Sequence, residues 1–268
     1  MATLYLVGTP IGNLGDITLR AIETLKNVDV IACEDTRHSM GLLNYYDIKK
    51  PLIACHKFNE RDSIEKIASL LDEGKDVALI TDAGMPAISD PGAILVDGLK
   101  NRGYNIAVIP GPTALTSAVA LSGILNPVFT FIGFMPPKKK EKDELVVPFK
   151  NIQTNLIFYS SPYDINKDTE YLYKTLGNRE FYVVKEITKI HESSIKYQLE
   201  DFHIDDPKGE YVLIVCPGEK IEEKPQGSIE EQLRQLLDNG VDKKEAIKQV
   251  SKNNKIPKDE VYKIAISL

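Results

Sequence analysis

Short apolar runs that stop at glycine or proline, separated by stretches of helical periodicity, constrain this chain more than anything else in it. Residues 4–7 end at Gly8-Thr9-Pro10, residues 77–81 at Asp82-Ala83-Gly84-Met85-Pro86, and residues 106–109 at Pro110-Gly111-Pro112. A run this short, apolar throughout, suits a strand buried on both faces. Between the runs lie amphipathic stretches. Residues 17–26 carry Thr18 as a cap and Leu19, Ile22 and Leu25 on one face. Residues 62–73 place Ile64, Ile67, Leu70 and Leu71 on one side before Gly74. Residues 92–102 stop at Gly103, and the small-residue stretch 113–122 stops at Gly123; residues 28–33 add a further strand. Strands alternating with helices of this length predict βαβ units and a mostly parallel sheet. In open sheets of that class, ligands bind outside the carboxyl ends of the strands. The three loops are therefore expected to form one floor for a flat ligand.

Residues 134–150 change character. Pro136-Pro137 precede Lys138, Lys139, Lys140 and Lys142, and Pro148 follows, which reads as a linker or mobile loop. Strands are expected again at 156–159, 180–186 and 211–216. The alternation over 190–199 adds antiparallel character and a mixed sheet. The polar stretch 219–227, with Pro225, is read as a domain boundary. Beyond it, Ile229, Leu233, Leu236 and Leu237 share a helical face, Asp242 caps a second helix, and Pro257 opens a third. The division expected is 1–124, 125–222 and a helical module at 226–268.

Several function classes lose support. In 268 residues no apolar run approaches a bilayer span, and the opening Met1-Ala2-Thr3-Leu4 lacks a basic leader, so a cytoplasmic protein away from the membrane is expected. Cys33, Cys55 and Cys216 have no ligand or disulfide spacing, and the four histidines have no metal spacing. A net charge of −6 means that any nucleic-acid contact must use local patches. The first loop is neither a phosphate-binding Gly-Lys-Ser/Thr loop nor a clean dinucleotide fingerprint, and Pro10 removes a backbone donor.

Polar clusters mark candidate chemistry. Glu34-Asp35-Thr36-Arg37-His38 follows the second strand, and His56-Lys57-Phe58-Asn59-Glu60-Arg61 forms a second cluster. Glu34, Asp35, His56 and Glu60 are the candidate bases; Arg37, Arg61, Lys138, Lys139 and Lys140 are the candidate phosphate contacts. In Asp82 to Gly92, Asp90 or Ser89 reads as the cap of the following helix with Pro91 at its first position, while Asp82 could cap or face a ligand.

The opening Leu4 to Thr18, the Ala32-Cys33-Glu34-Asp35-Thr36-Arg37-His38 segment, the 82–92 loop, Pro110-Gly111-Pro112-Thr113-Ala114, Phe134-Met135-Pro136-Pro137-Lys138 and Glu186-Ile187-Thr188-Lys189-Ile190-His191-Glu192 occur in a fixed order. Together they resemble the tetrapyrrole-methylase-like superfamily of methyltransferases, and within it the branch that modifies small-subunit ribosomal RNA. The resemblance implies two α/β domains with S-adenosylmethionine in the cleft between them, a helical tail and a homodimer. It implies 2′-O-methylation of a cytidine in the decoding region of 16S ribosomal RNA. By matching position, cofactor contacts are expected at Ile11, Met85, Ile88, Thr113, Ala114, Tyr159, Lys185 and Tyr211, with Gly8, Gly84 and Gly111 shaping the pocket. Alternatives within the same resemblance are a tetrapyrrole methylase and a non-catalytic RNA-binding homologue. The chain departs from the family pattern at Thr81, Met85, Ser160, Tyr163, Asp164 and Lys185.

Overall fold

The computed structural model describes residues 2–57, 59–218 and 227–266. Two compact units divide the chain, Met1–Gly218 and Glu219–Leu268. The boundary segment expected from sequence, 219–226, and Phe58 lie outside the described residues.

In unit 1 the first half runs β1 (Thr3–Val7), α1 (Leu19–Asn27), β2 (Val30–Cys33), α2 (Thr36–Tyr45), β3 (Leu52–Ala54), α3 (Glu60–Asp72), β4 (Val77–Ile80), α4 (Ala93–Asn101), β5 (Asn105–Ile109) and α5 (Ala114–Ser122). The five strands form one parallel sheet in the order β3-β2-β4-β1-β5. One face, with Val7, Ile31 and Ile80, packs on α1 and α2. The other, with Leu4, Ala32 and Leu79, packs on α3 and α4. Both faces are covered, which is why β2 and β4 are apolar at every position. Thr18 caps α1 as expected, accepting from the Ala21 amide at 3.1 Å, but Leu19 points into solvent and Ala21 with Leu25 make the buried stripe.

The second half runs β6 (Phe129–Phe134), α6 (Lys139–Val146), β7 (Asn155–Ser160), α7 (Ile165–Leu176), β8 (Glu180–Lys185), β9 (Ser193–Gln198) and β10 (Tyr211–Val215). Its sheet is mixed, in the order β6-β7-β10-β8-β9, with β6–β7 parallel and the rest antiparallel. The lysine-rich stretch expected as a mobile loop is α6. Lys142 reaches Asp168 of α7 at 2.9 Å with both side chains largely buried, and Val146 is fully buried. An inward ion pair plus a buried apolar residue on one face makes this charged segment an amphipathic helix.

The helix that follows the first sheet completes the core of the second. Ala118, Leu115 and Val119 of α5 pack against Ile157, Val184, Val212 and Ile214. Unit 2 contains α8 (Ile229–Asp238), α9 (Lys243–Asn254) and α10 (Lys258–Ala265) around Leu233, Ala246, Val250 and Val261. Ser228 and Glu231 form a capping box at α8, and Asp242 caps α9. No helix among the described residues is long and apolar enough to cross a membrane.

Candidate active site

The three glycine- and proline-bearing loops come together because their strands are neighbours: β4, β1 and β5 lie side by side. Thr9 and Gly84 exchange main-chain hydrogen bonds of 2.9 and 3.2 Å, and the Thr9 hydroxyl donates to the Thr81 carbonyl at 3.1 Å. Beneath them Gly8 and Gly111 touch. A Cβ on Gly8 would stand 2.7 Å from the Gly111 Cα, and one on Gly111 would stand 2.9 Å from the Gly8 carbonyl carbon. Both obstacles are main chain, so no rotamer change relieves them.

Above this floor is a cavity of about 460 Å³, within the range of small-molecule sites. Ile11, Gly84, Met85 and Ile88 line it from the first two loops. Thr113 and Ala114 line it from the start of α5, and Tyr159 and Tyr211 from the second sheet. Eight of the eleven residues expected to shape a cofactor site thus face one space. Gly8 and Gly111 lie beneath it. Lys185 is not among the lining residues; it pairs with Tyr211 across the β8–β10 ladder, its ammonium 5.7 Å from the Tyr211 ring centre.

Tyr159 is fixed on several sides. Its hydroxyl accepts from the Leu115 amide at 3.2 Å, and the rings of Phe131 and Phe134 stand edge-on at 5.0 and 5.4 Å. Burial pushes its phenol above the usual range. Ser160 lines the cavity next to it and donates to Asp168 at 3.0 Å, so the Lys142–Asp168 pair reaches the cavity wall through Ser160.

Four non-glycine residues with left-handed φ border this space: Ala87 (67°), Ser89 (63°), Glu186 (50°) and Thr188 (68°). They flank the lining residues Ile88 and Ile187. Each such residue costs on the order of 1–3 kcal/mol and persists where surroundings over-determine it. Here the first loop is tied by the Ala87 amide to the Pro91 carbonyl at 3.2 Å. The second is tied by Lys189, which bridges Glu186 at 3.0 Å and the cavity-lining Glu210 at 2.9 Å.

None of the four sequence-derived candidate bases is among the lining residues. Glu60 is buried, and its carboxylate accepts the amides of Gly92 and Ile94 at 3.1 Å each, completing the N-terminus of α4. That corrects the expected cap. Gly92, not Ser89 or Asp90, is the N-cap; it supplies no side-chain bond, and the helix begins at Ala93 rather than at Pro91. Asp35 caps α2 by accepting the Arg37 amide at 2.8 Å, which holds its carboxyl below the ordinary range. Glu34 is half-buried; burial first, then the charge of Asp82, pushes its carboxyl up, with His56 opposing. The His56 amide donates to Asn59 at 2.7 Å. Arg37, Arg61, Lys138, Lys139 and Lys140 are all exposed.

Sequence reasoning missed Asp90, Glu210, Phe134 and Ile187 as cavity residues. Asp90 is half-buried, and burial, followed by the charges of Glu34 and Asp82, pushes its carboxyl up to about 6. A carboxyl displaced this far in a ligand-sized cavity is a signal of chemistry that sequence spacing does not carry.

The family model for Tetrapyrrole (Corrin/Porphyrin) Methylases matches residues 3–203. Among curated relatives, the chain is 39% identical over 272 residues to "Ribosomal RNA small subunit methyltransferase I" of Bacillus subtilis, covering 98% of this chain and 93% of that one. It is 45% identical to the protein of the same name from Mycoplasmopsis pulmonis, covering 80% of this chain and 97% of the relative. Among solved structures, diphthine synthase superposes with a TM-score of 0.64 at 16% identity, over 81% of this chain and 90% of that one.

Proposed function

The chain belongs to the tetrapyrrole methylase family, and from that membership we propose that it places a methyl group on the 2′-hydroxyl of a cytidine in the decoding region of 16S ribosomal RNA. It is an S-adenosylmethionine-dependent methyltransferase of small-subunit ribosomal RNA. The observation that carries the substrate class is the match to relatives of that one name along nearly the whole chain.

The cavity fits S-adenosylmethionine in size and in lining. Ile11, Met85, Ile88 and Ala114 offer apolar surface, Gly84 leaves main chain open, and the Glu210 carboxylate suits a cationic ligand. When bound, the cofactor supplies an electrophilic methyl group. The chain's own share is positioning: the floor at Gly8 and Gly111, the wall at Tyr159 and Tyr211, and Lys185 behind Tyr211 hold the ligand in one orientation, and orientation alone supplies a large part of such rate accelerations. Exposed Arg37, Arg61, Lys138, Lys139 and Lys140 contact phosphates flanking the target nucleotide. Of the candidate bases, the Glu60 and Asp35 carboxylates already serve main-chain amides, and Glu34 and His56 stand outside the cavity lining. The functional form is a cytoplasmic homodimer acting on the small subunit, with residues 1–124 and 125–222 as its two catalytic domains. The family match ends at residue 203, ahead of the helical module, which fits an accessory, docking role for residues 226–268.

The test is transfer of tritium from labelled S-adenosylmethionine to purified small subunits, naked ribosomal RNA and tetrapyrrole precursors, followed by nucleoside analysis. Label on the ribose of a cytidine is expected. Label on the tetrapyrrole alone overturns the reading.

A further inference from the structure

Methyl transfer to an alcohol needs somewhere for the hydroxyl proton to go, and the cavity offers few acceptors. Two carboxylates line it, Asp90 and Glu210. Glu210 is ion-paired with Lys189. The Ser160 hydroxyl is committed to Asp168, and the Tyr159 oxygen to the Leu115 amide. Among the described residues Asp90 makes neither a hydrogen bond nor an ion pair, although it is half-buried. It follows directly on Ser89, whose φ is left-handed, in a loop closed by the Ala87–Pro91 hydrogen bond and anchored at Gly92 and Ile94 by Glu60. Its side chain is thus presented to the cavity by a rigid main chain yet left without a partner.

Resting on the reading of the substrate above, we propose that Asp90 is the catalytic base that accepts the proton of the ribose 2′-hydroxyl, and that Glu60 is a positioning residue acting through the start of α4. In the transfer, O2′ forms its bond to the methyl carbon as the carbon–sulfur bond breaks, with that electron pair going to sulfur. The O2′ proton passes to the Asp90 carboxylate, giving a neutral acid that returns the proton to water. The titratable groups facing Asp90 are Glu34 at the end of β2, Asp82 at the end of β4 and Tyr159 on β7. Burial of the group favours the protonated acid, and so do the charges of Glu34 and Asp82. They raise its proton affinity toward the working pH, where a general base is most effective.

The experiment measures single-turnover label transfer to small subunits across about pH 5 to about 9, with S-adenosylmethionine affinity measured separately by calorimetry. In wild type the rate rises with pH through an acid limb at or below about 6. Asp90→Asn is expected to lose about 100-fold or more in rate together with that limb, while cofactor affinity stays within about threefold. Glu34→Gln removes a like charge and moves the limb to lower pH, a shift that a merely structural role for Asp90 would not produce. Glu60→Gln lowers the rate less and leaves the limb in place. Transfer by Asp90→Asn within about threefold of wild type overturns the inference alone, as does loss of rate in exact proportion to lost cofactor affinity. Absence of RNA label with the wild-type protein overturns the substrate reading and this inference with it.

Discussion

In the first sheet all five strands run parallel, and three adjacent ones send their following loops to the cavity. What they contribute is mostly main chain: Gly84 open to the space, Gly8 and Gly111 in contact below, and Thr9 and Gly84 paired like a short piece of ladder. The second sheet is mixed, and its contribution is side chains. Tyr159 turns its ring to the face that carries α5, held by two rings and the Leu115 amide, while Tyr211, one register step away on the neighbouring strand, turns its ring to the opposite face, with the Lys185 ammonium over it. One half is specified by where the chain can pass, and the other by what hangs from it. Substitutions should therefore fail abruptly in the first half and by degrees in the second.

Gly8→Val is the strongest challenge to that contrast. Overpacking against main chain is expected to cost about 3 kcal/mol or more, seen as about a 100-fold or greater loss of S-adenosylmethionine affinity by calorimetry, or as failure to fold. A fully functional variant would show that the floor can move. On the side of the second sheet, Lys142→Met leaves Asp168 buried without its ion partner, and Ser160 with a distorted acceptor. Urea denaturation should register a loss of about 3 kcal/mol, with cofactor affinity reduced only severalfold. Glu60→Ala strips two α4 amides of their acceptor and should cost about 2 kcal/mol, less in Glu60→Gln, which keeps an oxygen there.

The smallest expected effect has the opposite sign. Asp90 in the folded chain holds its proton up to about 6 rather than the ordinary 3.8. Below the lower value both folded and unfolded chains are protonated, and the group has no effect on stability. As pH rises toward 6 the unfolded chain releases the proton and the folded chain resists, so stability is lost across that window and the deficit is complete above it. Asp90→Asn should thus be more stable than wild type at pH 7.5 by about 1 kcal/mol, after allowance for the screening of a half-exposed group. The two should converge near pH 4 in thermal melts.

Much of the architecture was legible in the sequence because buried parallel strands are written as unbroken apolar runs. The runs at 4–7, 77–80 and 211–215 all become strands. Elements without that signature passed unseen. β3 has three residues at a sheet edge, none fully buried. In α2 only Ser39 and Leu43 are buried, too few to set a period. α7 hides its face behind a buried Asp168 and Thr169, residues that read as solvated until their partners are known. Around the cavity, the glycine loops announced a binding floor. The role of Asp90 did not show, because Ser-Asp-Pro-Gly spells a local helix cap, whereas the acceptor at α4 comes from Glu60, far back in the chain. Spacing along a sequence reports local bonds and is blind to a distant residue that takes over a local task.

The contact between Gly8 and Gly111 has a consequence for how this chain can change through descent. Compensation between distant positions requires that one residue shrink where another grows, but here both are already the smallest residue and the obstruction is the main chain itself. No order of single steps leads away from the pair, and none of its intermediates is rescued by a change at the other position. Two sites on separate loops are inherited as one character, and the floor of the cavity remains fixed while the walls around it are free to drift.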